Sequence, residues 1–141
     1  MDELPLGAHL TSPRRGFVHH GVYVGNGQVI QYSGFERLLR KRPIELVSLA
    51  DFTRGRGFAV VSAASSPYTG IACVVRARSR LGENRYRIFS NNCEHFVEWC
   101  VCGKSRSRQV EALQQRFRDV FVRAILPLRL RAVAAGRPEI A

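Results

Sequence analysis

The sequence is short of lysine, of acidic residues and of long apolar runs, and these shortages exclude several classes of protein. No stretch approaches the roughly 18 consecutive apolar residues that a transmembrane helix needs. Residues 1–5 are acidic and lack an apolar stretch, so we expect no secretory signal. The cysteines lie in the second half without the even spread of a disulfide framework, which indicates reduced thiols and a cytoplasmic protein: Cys73, Cys93, Cys100 and Cys102.

Motifs for metals and cofactors are scarce as well. Cys100 and Cys102 form a single C-x-C pair, and the second pair that a structural zinc site requires is missing from the sequence. We therefore predict that the protein uses neither a metal ion nor another cofactor.

What the sequence does contain is typical of one globular domain with a basic surface. It has 141 residues, of which 45% are hydrophobic and 23% charged. Its 22 basic residues outnumber 11 acidic ones, and only Lys41 and Lys104 are lysine. Arginine binds phosphate and carboxylate through a bidentate fork, so the expected partners are phospholipid headgroups, nucleic acid or an acidic protein. The basic excess steepens after Gly103, which predicts a compact domain over 1–103 and a basic arm over 104–141.

Two strands and a tight turn are predicted near the N-terminus. Residues 17–24 and 28–32 are rich in β-branched and aromatic side chains, and a Gly-Asn-Gly turn at 25–27 separates them. A two-residue turn would put His19 and Gln31 on opposite faces, whereas a three-residue loop puts them on the same face. We predict the three-residue loop, with its last glycine left-handed.

The rest of the chain predicts further short elements. In chain order they are a basic loop or short helix over 34–42, strands over 44–49 and 58–62, a helix from Ser66-Pro67 to Gly82, a strand over 86–89, and a helix over about 92–101 that begins with a capping box at Asn91-x-x-Glu94. The last helix carries an apolar stripe bordered by arginines and is interrupted at Pro127: Val110, Leu113, Phe117, Val120, Phe121, Ala124, Ile125 and Leu128.

Cys93 is the first candidate for chemistry. It falls in the first turn of the helix over 92–101, where the helix dipole and exposed N–H groups lower a thiol pKa and favour the nucleophilic thiolate. The alternative is a buried structural cysteine, which is the interpretation that we adopt for Cys73 and Cys100.

A thiol nucleophile needs a base, and the sequence offers four histidines: His9, His19, His20 and His95. Alternation along the strand puts His19 and His20 on opposite faces, so only one of them can face a given site. His95 lies two residues beyond Cys93 on the helix, which points it away from the thiol. A thiol–imidazole pair also needs a group that orients the ring, and the carbonyl oxygen of Gln31 can accept the ring N–H.

Two motifs resemble those of lecithin:retinol acyltransferase-like proteins. The run His19-His20-Gly21-Val22-Tyr23-Val24-Gly25-Asn26-Gly27-Gln28-Val29-Ile30 resembles the first motif of that family. The run Asn92-Cys93-Glu94-His95-Phe96 matches the second motif, N-C-E-H-F, and Arg80 to Glu83 fits the segment that precedes it. The resemblance covers residues 4–103 and stops before the basic arm.

The resemblance implies an α+β fold of the circularly permuted papain-like (NlpC) type, in which a small antiparallel sheet packs against helices. It implies cleavage of an acyl ester, usually of a glycerophospholipid, through an acyl-cysteine intermediate. Cys93 aligns with the family's nucleophile and His19 with its base. The third residue of the family is usually histidine, and Gln31 stands at that position.

In the mechanism that follows, the backbone N–H of Cys93 stabilises the oxyanion, and Asn92 or Tyr23 adds a second donor. The acyl group then passes to water or to another acceptor. We expect the arginine-bordered arm over 104–131 to lie on an anionic bilayer as a peripheral contact, or simply to pack on the domain.

Three other interpretations stay open at this point. A thiol peptidase or amidase of the NlpC kind would share the fold. A catalytically impaired domain that binds lipid or a partner would explain Gln31. A nucleic-acid-binding module would use Arg54-Gly55-Arg56-Gly57, but one short basic run is weak support, so nucleic acid is the least favoured partner.

Overall fold

A computed structural model describes residues 3–35, 41–62, 66–87 and 90–125. The chain divides into two compact units, residues 1–108 and 109–141. The first unit contains five strands and three helices: β1 (His9–Arg14), β2 (Phe17–Gly25), β3 (Gln28–Phe35), β4 (Lys41–Ser48), α1 (Leu49–Thr53), β5 (Ala59–Val61), α2 (Ile71–Ser79) and α3 (Cys93–Cys102). Helix α4 (Arg108–Val120) and a π-helical turn (Phe121–Ile125) follow.

The five strands form one antiparallel sheet in the order β4-β3-β2-β1-β5. This confirms the predicted α+β class with a small antiparallel sheet and helices. The sequence also predicted β2 and β3 to within a few residues, because their β-branched and aromatic content is dense.

The turn between β2 and β3 differs from the predicted one, although the predicted register is confirmed. Gly25 pairs with Gln28 across a two-residue turn in which Asn26 and Gly27 both have positive φ, 53° and 68°. A register shift between Tyr23 and Gly25 adds one residue to β2. This bulge restores the same-face arrangement that a two-residue turn alone would have lost.

Each face of the sheet has its own hydrophobic core. On one face, strand residues pack against α2 and α3: Val22, Val24, Ile30, Tyr32 and Ile44 with Cys73, Val74, Ala77, Phe96, Val97 and Cys100. On the other face Leu10, Tyr23 and Val29 pack with Phe52 of α1. The interpretation of Cys73 and Cys100 as core residues agrees with their burial.

Gly21 lies where α1 crosses the sheet, and the close approach requires glycine. A Cβ at this position would lie 2.6 Å from Val29 Cγ1 and 2.7 Å from Phe52 Cε2. We expect Gly21→Ala to lower the free energy of unfolding by about 1–3 kcal/mol, measured by urea denaturation. In a Phe52→Leu background the cost of Gly21→Ala should be smaller, since the ring that clashes is gone. A change below about 0.5 kcal/mol in the native background would contradict this packing.

Several sequence-based boundaries are wrong. Strand β1 was not predicted, because its polar residues and Pro13 hide the alternation. Helix α1 was not predicted either; it begins after Ser48, whose side chain accepts the Asp51 N–H at 3.0 Å, and replaces the end of the predicted 44–49 strand. Helix α2 begins after Gly70 rather than at Ser66-Pro67, and it ends at Ser79.

Other predictions fall partly outside the described residues. The basic loop or short helix over 34–42 is replaced at its two ends by β3 and β4, and residues 36–40 lie outside the described ranges. In place of the predicted strand over 86–89, the structure has an isolated β-bridge between Arg87 and Asn91. Residues 88–89 lie outside the described ranges. The interruption at Pro127 and the end of the apolar stripe lie in 126–141, also outside.

Helix α4 is amphipathic, and its large apolar side chains are exposed. Phe117 is 67% exposed, Leu113 and Val120 are exposed as well, and so is Phe121 in the π-helical turn that follows. Arg116 and Arg118 flank Phe117, and Arg123 lies two residues after Phe121. Within the described ranges, no helix combines the length and the apolar character that crossing a membrane requires.

Candidate active site

Cys93 is the first residue of α3, and the residue before it caps the helix. The Asn92 side chain accepts the N–H groups of Glu94 at 2.9 Å and His95 at 3.0 Å. The His95 ring accepts the Asn92 N–H through Nδ1 at 3.1 Å, which completes a capping box. The predicted box at Asn91 and Glu94 is therefore one residue too early. The thiol belongs to the first turn, as predicted.

The cap predicts a measurable loss of stability. We expect Asn92→Ala to lower the free energy of unfolding by about 1–2 kcal/mol, because two N–H groups at the buried helix start lose their acceptor. Asn92→Ser keeps a capping oxygen and should recover most of this loss in the same urea titration. Equal stability of Asn92→Ala and the native chain would show that the cap contributes nothing.

His19 and Gln31 meet on one face of the sheet, as the sequence predicted. His19 Nε2 lies 2.9 Å from Gln31 Oε1, and both side chains are buried. The amide group of Gln31 donates to Ser33 Oγ at 3.0 Å, so its oxygen is the end that faces the ring. Because an amide oxygen only accepts, Nε2 carries the ring proton and Nδ1 is the basic nitrogen. The Phe52 ring packs 5.3 Å from the His19 ring, centroid to centroid.

The thiol of Cys93 lies beside the backbone of the same strand. The backbone N–H of His20 donates to the sulfur, and the N–H groups of Glu94 and Cys93 also point to it. Since a backbone nitrogen lies roughly 2.4 Å from the preceding Cα, the sulfur sits close to the backbone of His19. The structure shows no direct hydrogen bond between His19 and Cys93.

Burial governs the protonation of both groups. Burial raises the pKa of the Cys93 thiol to about 11, although the N–H groups around it act in the opposite direction. Burial lowers the pKa of His19 to about 4, while the Gln31 hydrogen bond opposes this change. The N–H groups at the helix start lower the thiol pKa, as predicted, but desolvation raises it by more. At neutral pH the resting pair is a thiol and a neutral imidazole.

A second set of buried polar side chains connects β1, β2 and α3 near the thiol. His9 Nε2 lies 2.7 Å from His20 Nδ1, and His20 Nε2 lies 3.7 Å from Glu94 Oε2. Ser107 donates to Glu94 Oε1 at 2.6 Å. These hydrogen-bonded side chains hold the strand that carries His19 against the helix that carries Cys93. The sequence placed His20 on the face opposite His19, but nothing in it paired His20 with Glu94 or Ser107.

The two residues predicted as extra oxyanion donors bond elsewhere. The Tyr23 hydroxyl accepts the Gly27 N–H at 3.1 Å, at the hairpin turn, and the oxygen of Asn92 caps α3. Tyr86, which the sequence did not single out, is nearer the thiol. Burial raises the Tyr86 pKa, and a hydrogen bond from the Cys93 N–H opposes that rise. The sequence predicted only a short strand over 86–89, and nothing in that pattern indicates that Tyr86 lies near the thiol.

No cluster for a metal ion occurs in the described part of the chain. Within it, no three His, Cys, Asp or Glu side chains come together as a metal site would require.

Comparison with known proteins identifies the family. The model of the lecithin retinol acyltransferase family matches residues 2–106. The chain is 32% identical to the human protein phospholipase A and acyltransferase 4, over 70% of each chain. It is 30% identical to the human phospholipase A and acyltransferase 2, over 74% of this chain and 75% of that protein. The match covers both sequence motifs and the residues around the thiol, so this chain belongs to the lecithin retinol acyltransferase family.

Proposed function

We propose that this protein is a thiol-dependent acyltransferase or phospholipase A that cleaves the acyl ester of a glycerophospholipid. Cys93 is the nucleophile, His19 the base and Gln31 the residue that orients the base. The observation that carries the proposal is the 2.9 Å hydrogen bond between His19 and Gln31, beside a helix start that holds a thiol. The arrangement resembles the papain-like type, in which a strand presents the base and a helix presents the thiol.

The protonation states define how the reaction starts. His19 Nδ1 is unprotonated at neutral pH, so it can take the thiol proton while the sulfur attacks the ester carbonyl. The C–S bond forms and the carbonyl π electrons move to oxygen. Gln31 accepts the Nε2–H throughout, and its hydrogen bond favours the imidazolium that results. The imidazole therefore becomes charged only during attack. In a preformed thiolate–imidazolium pair, both groups would be charged at rest.

The tetrahedral intermediate then collapses. The C–O bond to the lysolipid breaks, His19 returns its proton to the leaving oxygen, and an acyl thioester remains on Cys93. An acceptor hydroxyl, amine or water releases the acyl group in the reverse sequence of steps. The backbone N–H of Cys93 is the proposed oxyanion donor, and it would exchange its hydrogen bond to Tyr86 for one to the oxyanion. Asn92 and Tyr23 stay predictions as second donors, through the Asn92 side-chain NH₂ group and the Tyr23 O–H, because their cap and turn contacts use only the oxygens as acceptors.

The substrate class rests on the printed names of the human relatives and on the chemistry of the site. A phospholipase A and an acyltransferase share the first half-reaction and differ in the acceptor of the second. No side chain in the described site selects water over an alcohol or amine, so both outcomes belong to the proposal.

The basic arm over 104–131 is the proposed contact with an anionic membrane. Phe117 is exposed in α4 between Arg116 and Arg118, and Phe121 is exposed in the π-helical turn that also contains Arg123. Exposed aromatic side chains next to arginine are typical of helices that lie in the headgroup region. Each basic residue near an anionic surface is worth about 1 kcal/mol, so the contact should need anionic lipid. Co-sedimentation with neutral and with anionic vesicles compares the two surfaces directly.

The mass of the intact protein tests the proposal. The chain is incubated with phosphatidylcholine vesicles and with mixed anionic vesicles, and lysolipid release is followed in the same tubes. We expect an added acyl mass that hydroxylamine removes and that Cys93→Ala lacks. Lysolipid without an adduct also supports the proposal if Cys93→Ala and His19→Ala release none, because deacylation is then fast. No adduct and no lysolipid would exclude the phospholipid substrate and favour a peptide amide or an inactive binding domain.

A further inference from the structure

The loop after α1, residues 54–57, is tied to the face of the sheet that carries His19. Ser12 of β1 pairs directly with His19 of β2, so their side chains share a face. The Ser12 hydroxyl lies 2.7 Å from the Gly57 carbonyl and 3.4 Å from the Thr53 carbonyl. These contacts at both ends of the loop keep it beside the candidate active site.

Arg14 lies two residues further along β1, on the same face. Its NH1 group donates to Ser12 Oγ at 3.0 Å and to the Pro13 carbonyl at 3.2 Å, and NH2 donates to the Phe52 carbonyl. All three acceptors are uncharged. A guanidinium has five N–H bonds, so two remain for a ligand after these contacts. The hydrogen bonds hold the cation in place without neutralising it.

Arg54 and Arg56 add two exposed cations on the same loop. In the described part of the chain, neither side chain has a hydrogen bond or an ion pair. Arg54 also has a left-handed backbone, with a φ of 51° at the C-cap of α1. Glycine or asparagine usually takes that conformation, so an arginine side chain stands at a position where the backbone alone would favour glycine.

The positive charges lie close enough to affect one another. Burial lowers the pKa of Arg14, and the neighbouring charges of Arg54 and Arg56 lower it further, whereas the Cys93 thiolate raises it. Arg14 and Arg54 also help to lower the pKa of His19. The three guanidinium groups therefore repel one another near His19, and an anion there would relieve that repulsion.

We propose that Arg14, Arg54 and Arg56 form a phosphate-binding site beside Cys93, and that its ligand is the phosphodiester of a phospholipid headgroup. This inference rests on the proposed function, since it places the headgroup of the substrate. Arginine forks match phosphate geometry, and a bound headgroup would hold the acyl ester near the thiol. A free phosphate presents the same oxygens, so the experiment compares the two sources.

Binding is measured with the full-length Cys93→Ser protein, which keeps the lipid intact. The probes are dihexanoyl phosphatidylglycerol below its micelle concentration, dihexanoylglycerol without phosphate, and inorganic phosphate. Isothermal titration gives each affinity at low and at moderate salt. Arg54→Gln/Arg56→Gln removes the two exposed cations. The control Arg78→Gln/Arg85→Gln removes two exposed cations, one from α2 and one from the segment between α2 and α3.

We expect the phosphatidylglycerol to bind at least tenfold more tightly than dihexanoylglycerol, and the loop variant to lose at least tenfold of that affinity. The control should stay within twofold of the parent. Added salt should weaken binding to the parent more than binding to the loop variant. Equal losses in the loop variant and the control would overturn the inference, and so would unchanged binding by the loop variant. Inorganic phosphate that binds as tightly as the lipid would overturn the headgroup assignment.

Activity assays of the two double variants separate this inference from the proposed function. If wild type releases lysolipid and the loop variant does so with an unchanged KM, the reaction stands and the phosphate site fails. If no variant releases lysolipid but the arginine-dependent binding persists, the site stands and the proposed reaction fails.

Discussion

Replacing Cys93 by serine is expected to lower the rate of lysolipid release by roughly 10³-fold or more. The sulfur is the atom that forms the acyl bond, and a serine hydroxyl is a far weaker nucleophile than a thiol at the same pH. A hydroxyl is also much less acidic than a thiol, so proton transfer to His19 is harder. The measurement is the initial rate on phosphatidylcholine vesicles, with the intact mass recorded for any acyl adduct.

Cys102→Ser is the matched control for this experiment. It makes the same chemical change on the same helix, at the end away from the capped start, where the side chain is only partly buried. We expect its rate to stay within about twofold of the native rate. A Cys93→Ser protein that folds normally and keeps more than a tenth of the native rate would show that another residue forms the acyl bond.

Replacing His19 by alanine is expected to reduce kcat/KM by about 10²–10⁴-fold, the usual contribution of a positioned base. The loss should appear mainly in kcat, because the ring acts during proton transfer. The structure also predicts the pH dependence of the native enzyme. Since burial lowers the pKa of His19 to about 4, the ring stays neutral and basic at all higher pH values. The acid limb of kcat/KM should therefore lie near pH 4, and not near the ordinary histidine value of about 6.5.

His95→Gln supplies the histidine control. Glutamine at this position can still accept the Asn92 N–H, so the capping box persists while a nearby imidazole is removed. Its acid limb and its kcat should match those of the native protein. If the native acid limb lies at 6.5 and shifts in His95→Gln, then the titrating group is His95 and the assignment of His19 is wrong.

The sequence predicted more of the hairpin than of the elements around it. The strands β2 and β3 stand out because their side chains alternate and a Gly-Asn-Gly turn separates them. The correct register was reached with the wrong loop, because nothing in the sequence indicates the bulge between Tyr23 and Gly25. Strand β1 was missed, since a polar strand at the interior of a sheet is recognised only through its partners. The start of α2 was misplaced because Ser66-Pro67 is locally a good helix start.

In the candidate site, too, the sequence predicted the local features and missed those that depend on packing. Cys93, His19 and Gln31 were singled out from residue type, alternation and helix capping, all of which act over a few neighbouring residues. Their protonation was not predictable in this way. The helix N-terminus lowers a thiol pKa, but the sheet and helices that bury Cys93 raise it by more, and burial is a property of the whole packed domain.

The sequence by itself determined the family, the α+β class and the face of the hairpin on which a histidine and a glutamine meet. These features follow from motifs and from alternation, which are local. Only the tertiary structure decided that His20 joins His9 and Glu94 behind the thiol, and that Arg14 joins Arg54 and Arg56 beside His19. Those contacts connect residues that are far apart in the chain, and they form only when β1, α1 and α3 pack on the same two strands. Their energies depend on desolvation and on long-range charge, which no short stretch of sequence encodes.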